Sequence, residues 1–242
     1  MVTQGGSAMI FPRLRSRLRG KPGTSVSPFF GLVVALVALL AACGGPSTQY
    51  VTNSADKTYL KVPNTWRQID PAQFTEALGS PPAASSADGT WIVGYDADTS
   101  PQLEHMFDAH VTAPVVLVSV DGVPEKSRGQ ISLDIIRDFR FPVSASARQQ
   151  LELGGGASRL TDFQLLADQV LTPGHGVRGV HTVFAYRVDG GPPQIFDQIG
   201  YVNDDASKVY VAIARCSADC FQARQSEIEG VVNSFTVRED TP

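Results

Sequence analysis

GVHTVFAYRVDGGPPQIFDQIGYVNDDASKVYVAIAR, residues 179–215, holds three β-branched and aromatic runs cut by Asp-Gly-Gly-Pro-Pro and by Asn-Asp-Asp-Ala-Ser. Turn residues at such short intervals between runs of this kind specify strands joined as hairpins. The predicted strands are Gly179 to Asp189, Gln194 to Asn203 and Lys208 to Arg215. A further run, Asp162 to Leu171, precedes them and completes an antiparallel meander. In the Gly179 run, Val180, Thr182, Phe184, Tyr186 and Val188 share one face, while His181, Val183, Ala185, Arg187 and Asp189 share the other. The first set is predicted to face the core.

Past the meander, Phe221, Ile228, Val231, Val232 and Phe235 fall at helical spacing among Arg224, Gln225, Glu227 and Glu229, which predicts an amphipathic closing helix packed on the sheet. Before the meander, the pattern from Pro124 to Gly156 is helical but interrupted. One stretch lies around Ile131 to Phe139, and another runs from about Ser144 to Leu153 and stops at Gly154-Gly155-Gly156. Ala113 to Val120 is a nearly unbroken β-branched run, as expected of a central strand covered on both faces. Trp91 to Tyr95 is another strand, Gly79 to Gly89 a Pro/Ala/Ser loop, Pro71 to Leu78 a short helix with proline in its first turn, and Lys57 to Trp66 a strand entering a Pro-Asn turn. The fold class is therefore α+β, an antiparallel sheet flanked by helices. No repeat with a period of roughly 20 to 50 residues is visible, which disfavours solenoids and propellers.

The first 42 residues carry Arg13, Arg15, Arg17, Arg19 and Lys21, no acid, and then an apolar stretch of about 14 residues from Phe29 to Ala42. That order is a secretory signal, and the stretch is shorter than the roughly 20 residues a membrane-crossing helix needs. Met9 is a second candidate start. The leader ends Leu40-Ala41-Ala42-Cys43-Gly44, which resembles the bacterial lipobox, in which a small-residue run is cleaved before a cysteine that carries diacylglycerol. Cys43 is thus the expected lipidation site, residues 1–42 the signal peptide, 43–56 a flexible tether, and 57–242 one globular domain. Membrane attachment through this lipid, on the extracytoplasmic face of the cell membrane, is the expected location.

Removing 1–42 takes away five basic residues, so the net charge moves from −4 to −9. Nucleic-acid binding by bulk charge is disfavoured. Cys216 and Cys220 remain, in an oxidising compartment where a disulfide persists. A structural disulfide fixing a strand-to-helix corner is the leading reading; a redox dithiol or a metal site stays open beside it.

The motifs that invite chemistry weigh against it. Gly174-His175-Gly176-Val177-Arg178-Gly179 spells G-x-G-x-x-G, but a strand comes after it where a phosphate-binding loop needs a helix, so a hairpin turn is expected. Gly154-Gly155-Gly156-Ala157-Ser158 has no lysine to make it a P-loop. Glu104, His105, Asp108 and His110 are dense in metal-capable side chains, yet the two histidines would point to different helix faces, and a solvated surface is favoured. No Gly-x-Ser-x-Gly elbow appears. His181 is expected to be a plain exposed histidine beside Arg187. Trp66 and Trp91 either line an apolar ligand pocket or pack in the core. No catalytic residue, metal or cofactor is assigned.

Two stretches together carry a resemblance: Tyr59-Leu60-Lys61-Val62-Pro63-Asn64-Thr65-Trp66, and Val209 to Phe235 with its terminal Val-Val-Asn-Ser-Phe. They resemble the opening and closing segments of PsbP-like domains, the photosystem extrinsic proteins and their Ran-binding relatives, although Thr65 stands where the family often has glycine. With the lipobox they are similar to small mycobacterial-type lipoproteins. The resemblance implies an α/β/α sandwich used as a binding or assembly module, without shared catalytic residues. The functional expectation is a membrane-tethered, non-catalytic module for an envelope protein or an apolar cell-wall or lipid ligand. A lipid-anchored hydrolase without a recognisable motif is the alternative.

Overall fold

Alternating strands need partners for their edges and cover for both faces, and the chain supplies both. The computed structural model describes residues 47–79, 81, 83–154 and 158–239. In chain order come β1 (Thr48–Asn53), β2 (Thr58–Pro63), β3 (Arg67–Gln68), α1 (Pro71–Leu78), β4 (Thr90–Asp96) and β5 (Val115–Gly122). Three short helices come next: α2 (Glu125–Arg128), α3 (Leu133–Arg137) and α4 (Ala145–Leu153). The meander is β6 (Leu160–Gly174), β7 (Val177–Val188), β8 (Pro193–Asn203) and β9 (Lys208–Ser217), and α5 (Ala218–Val232) and β10 (Thr236–Val237) close the chain. Short 3₁₀ turns lie at Ser86–Asp88 and Leu103–Met106.

The main sheet has seven strands in the order β3-β4-β5-β9-β8-β7-β6, with every pairing antiparallel. A second sheet has the order β1-β2-β10. Side-chain alternation gives the main sheet two apolar faces. On one, Val93, Val116, Val118, Ala212 and Ala214 meet Ile228, Val231 and Val232 of α5 and Leu60 and Val62 of β2. On the other, Leu117, Val211, Ile213, Val180, Phe184 and Phe196 meet Phe74 of α1, Met106 and Ile136 of α3. Helical layers on both faces make the α/β/α sandwich, and Val180, Thr182, Phe184, Tyr186 and Val188 are all buried as expected.

Helix ends follow local chemistry. The Asp70 side chain accepts from Ala72 N–H at the start of α1, where Pro71 occupies the first position, and Gly79 ends it with φ 70°. Ser132, Ser144 and Ser217 cap α3, α4 and α5 in the same way. The β6–β7 connection turns on His175 and Gly176, both left-handed. The G-x-G-x-x-G spelling is therefore a hairpin, and a Cβ on Gly176 would lie 2.6 Å from the Glu239 carbonyl oxygen.

Two expectations need correction. The predicted tether, 43–56, is structured from Thr48 onward: β1 pairs with β2 from Thr48↔Pro63 to Asn53↔Thr58, burying Val51 and Asn53. Only one aliphatic residue in TQYVTN faces the core, so composition hid a strand that the register with β2 creates. Second, β6 is longer than its apolar run, because register shifts after Thr161, Leu165 and Leu171 carry it on as a bulged edge strand. Residues 1–42 and Cys43 lie outside the described residues. Among the described residues, no helix is long and apolar enough to cross a membrane.

Candidate functional site

β9 reads KVYVAIARCS, and its alternation sends Val209, Val211, Ile213 and Arg215 to the same face. The first three join the core, and Arg215 is equally buried. It reaches a cavity of about 540 Å³ lined by Met106, Phe107, Phe141, Leu151, Leu160 and Val188, with Gln150, Ser158, Arg159 and Arg215 as its polar side chains. The volume and the few polar groups within apolar walls are those of small-ligand sites. The 3₁₀ turn at Leu103–Met106 and α4 form its sides, and β6, β7 and β9 form its base.

Arg215 donates from Nη1 to the Met106 carbonyl and from Nη2 to the Asp108 carbonyl, and its guanidinium stands 5.3 Å from the centre of the Phe196 ring. Its Nε–H has no partner. Among the described residues no carboxylate pairs with it; the Asp108 carboxylate instead accepts from the His110 N–H. Burial pulls the Arg215 pKa down to about 10, partly opposed by the Asp108 charge, so the group remains cationic at neutral pH. Phe196 stacks on Phe184 at 5.2 Å and meets the tilted ring of Phe141 at 4.5 Å, which stiffens the wall beside it. At the rim, Arg159 makes a two-pronged pair with Asp189, from Nε at 2.8 Å and Nη2 at 2.5 Å.

Trp66 and Trp91 do not line this cavity. Trp66 is buried in the core beneath α5, where its Nε1 donates to Glu227 Oε1 at 2.6 Å, and Trp91 packs against the same core. Hydrogen bonds from Arg224 hold the Glu227 carboxyl below its ordinary pKa against the opposing effect of burial, with Trp66 assisting. Of the two readings weighed for these tryptophans, the structure places both on the core side.

His181 departs from the expected exposed histidine. Its Nε2 lies 2.6 Å from Oδ1 of Asp197, a fully buried carboxyl on β8. Burial raises the Asp197 pKa, Glu229 of α5 adds to the rise and His181 opposes it, while Oδ2 has no partner. The sequence concealed this pair because Asp197 is a diagonal neighbour that exists only once β7 and β8 are in register, with Val183↔Asp197. Among the described residues His181 hydrogen-bonds no Ser, Thr or Cys side chain, so no nucleophile–base arrangement forms around it.

The Glu104, His105, Asp108 and His110 set is not brought together on a metal. His105 Nδ1 lies 2.6 Å from buried Asp96 Oδ2 and ties the 3₁₀ turn to β4, while His110 is exposed. Among the described residues no group of three or more His, Cys, Asp or Glu side chains is placed to hold a metal ion. Cys216 at the end of β9 and Cys220 in α5 are joined by a disulfide across the strand-to-helix corner. Arg215 is the residue that sequence reading missed. Its signal was present: a charge at an alternate position of a strand whose other positions on that face are all core.

No family profile matches the chain, and no curated protein matches it in sequence. Solved structures similar to it include cyanobacterial PsbP (CyanoP) from Synechocystis, at 15% identity over 81% of this chain and 95% of that one, TM-score 0.47. The Saccharomyces cerevisiae Ran-binding protein Mog1p is 11% identical over 81% of this chain and 97% of that one, TM-score 0.41. LpqN of Mycobacterium tuberculosis, described as involved in cell envelope biogenesis, is 13% identical over 79% of this chain and 90% of that one, TM-score 0.41. By its own sheet order and helix layers the chain is an α+β sandwich.

Proposed function

We propose that the chain is an exported lipoprotein, held at the extracytoplasmic face of the cell membrane by lipid on Cys43, whose domain is a non-catalytic binding module for an apolar envelope ligand. The observation that carries the ligand reading is the cavity of about 540 Å³ with walls of Met, Phe, Leu and Val side chains. A hollow of this size with apolar walls is a place for an apolar guest. The acidic balance of the exported part, −9 once 1–42 are removed, disfavours nucleic acid as the partner.

The test is native mass spectrometry of the unit Pro46–Pro242, which is compact by itself, exported in a related bacterium and purified without detergent. A stoichiometric adduct of lipid mass, lost when Leu160→Trp fills the cavity, supports the reading. A bare mass, together with failure to take up added single-chain amphiphiles, overturns it and redirects the search to envelope protein partners by proximity labelling.

A further inference from the structure

Arg215 is the one polar group at the pocket's base that the fold leaves incompletely used. A buried guanidinium normally meets a carboxylate, because a charge taken out of water without a counter-charge is costly. Here two backbone carbonyls take one N–H each, Nε–H has no partner, and among the described residues no carboxylate pairs with it. Arg159, the other cation lining the pocket, already spends its fork on Asp189. The charge without a bonded carboxylate is therefore the one at the base, against apolar walls, with the Asp108 charge acting on it from outside hydrogen-bond contact.

A second observation concerns the pocket's edge. Phe107 and Leu151 line the cavity and remain exposed to solvent, at 50% and 37%. An apolar edge above a cationic base is the reverse of a site for a polar sugar or a zwitterion lying at the surface. It matches a guest that enters head first, with its charge at the bottom and its chain leaving over Phe107 and Leu151.

Building on the reading of this pocket as a ligand site, we infer that its ligand is a single-chain amphiphile with an anionic head, carboxylate or phosphate monoester, whose head oxygens take the free N–H groups of Arg215. The head supplies the missing counter-charge, and charge-assisted bonds of this kind are stronger than neutral ones. Burial lowers the Arg215 pKa only to about 10, so at neutral pH the base is cationic where such heads are ionised. The carbonyl bonds to Met106 and Asp108 fix the guanidinium plane before the ligand arrives, which reduces the ordering cost of binding.

The experiment is isothermal titration of the exported Pro46–Pro242 unit, below each ligand's micelle concentration, with tetradecanoate, tetradecyl phosphate and tetradecanol. At equal chain length, one or both anions should bind at least about tenfold tighter than the alcohol, the lower end expected for a hydrogen bond to a charged group. Each methylene added to the better anion should tighten it by about fourfold. The preferred anion identifies the head as carboxylate or phosphate. Arg215→Met should abolish the preference while Arg215→Lys, which keeps the charge, retains part of it. Because Arg215 also holds the Met106–Asp108 segment, thermal melting must show that both variants fold, and the comparison on the unaltered protein decides without them. Equal binding of anion and alcohol overturns the anionic-head inference and leaves the apolar pocket standing. Binding of none of the three overturns both.

Discussion

Asp56 shows how a single side chain fixes the join between the two sheets. It is buried, accepts from Asn53 Nδ2 at 2.8 Å, Ser86 N–H at 3.1 Å and Ser86 Oγ at 2.6 Å, and faces Lys208 Nζ at 3.3 Å. Burial alone would raise its pKa, but the Ser86 bonds and Lys208 outweigh it and the net shift is downward. A carboxyl with a folded pKa below its unfolded value of about 3.9 adds stability that is complete above that value and disappears as pH falls through the folded one. Asp56→Asn should therefore lower the urea midpoint near neutral pH and flatten its acid dependence below about pH 4. The change corresponds to about 1–3 kcal/mol for leaving these donors unsatisfied. Urea titrations at about pH 7 and about pH 3 measure it, and an unchanged acid slope would show that Asp56 does not hold this join. None of this was legible in the sequence, where Asp56 looked like the last residue of a polar tether. The same holds for Asp197, whereas Arg215 betrayed its burial by its place in a core strand but not its partners. A charged residue in a strand declares its partner only when the neighbouring strand or loop is in place.

At the scale of elements, legibility tracked regularity. β7 was readable because apolar residues recur every second position, β9 because its apolar run from Val209 to Ala214 is unbroken, and α1 because Asp70, Pro71 and Gly79 mark its two ends. β1 and the ends of β6 were not, because one carries a single inward aliphatic side chain and the other is bulged out of alternation. The corner between β9 and α5 combines both kinds of information: Cys-x-x-x-Cys spacing suggested a local staple, and the disulfide between Cys216 and Cys220 forms it. The loop it closes is very short, so by the chain-entropy argument it contributes about 2 kcal/mol. Cys216→Ala with Cys220→Ala should lower the melting temperature by roughly 4–8 °C in a domain of this size. Far-UV circular dichroism should otherwise stay unchanged, since α5 is also held by Ile228, Val231 and Val232 and by the Trp66–Glu227 bond. Loss of the fold on double substitution would mean that the corner, and not this packing, holds the helix.

For the whole molecule, the proposed membrane tether has to work for an acidic domain. The chain carries 20 basic and 24 acidic residues, and five of the basic ones precede Cys43. The part after residue 42 has an excess of nine acids, so an anionic bilayer repels it, and on the proposed reading contact falls to the lipid on Cys43. One acyl chain holds a protein at a membrane only marginally, whereas two or three hold it durably. The Pro46–Pro242 unit should remain in the supernatant when mixed with vesicles rich in anionic lipid at about 0.15 M salt, and lowering the salt should not draw it down, because screening conceals repulsion here and not attraction. The full chain, expressed in a bacterium fed an alkyne-bearing fatty acid, should take up the label in the membrane fraction, and Cys43→Ala should take up none. Vesicle binding by the unlipidated unit would place a membrane-contact surface on the domain itself, and a labelled Cys43→Ala protein would move the modification to another residue. The second result overturns Cys43 as the anchor, and the first overturns the claim that lipid alone brings the domain to the membrane.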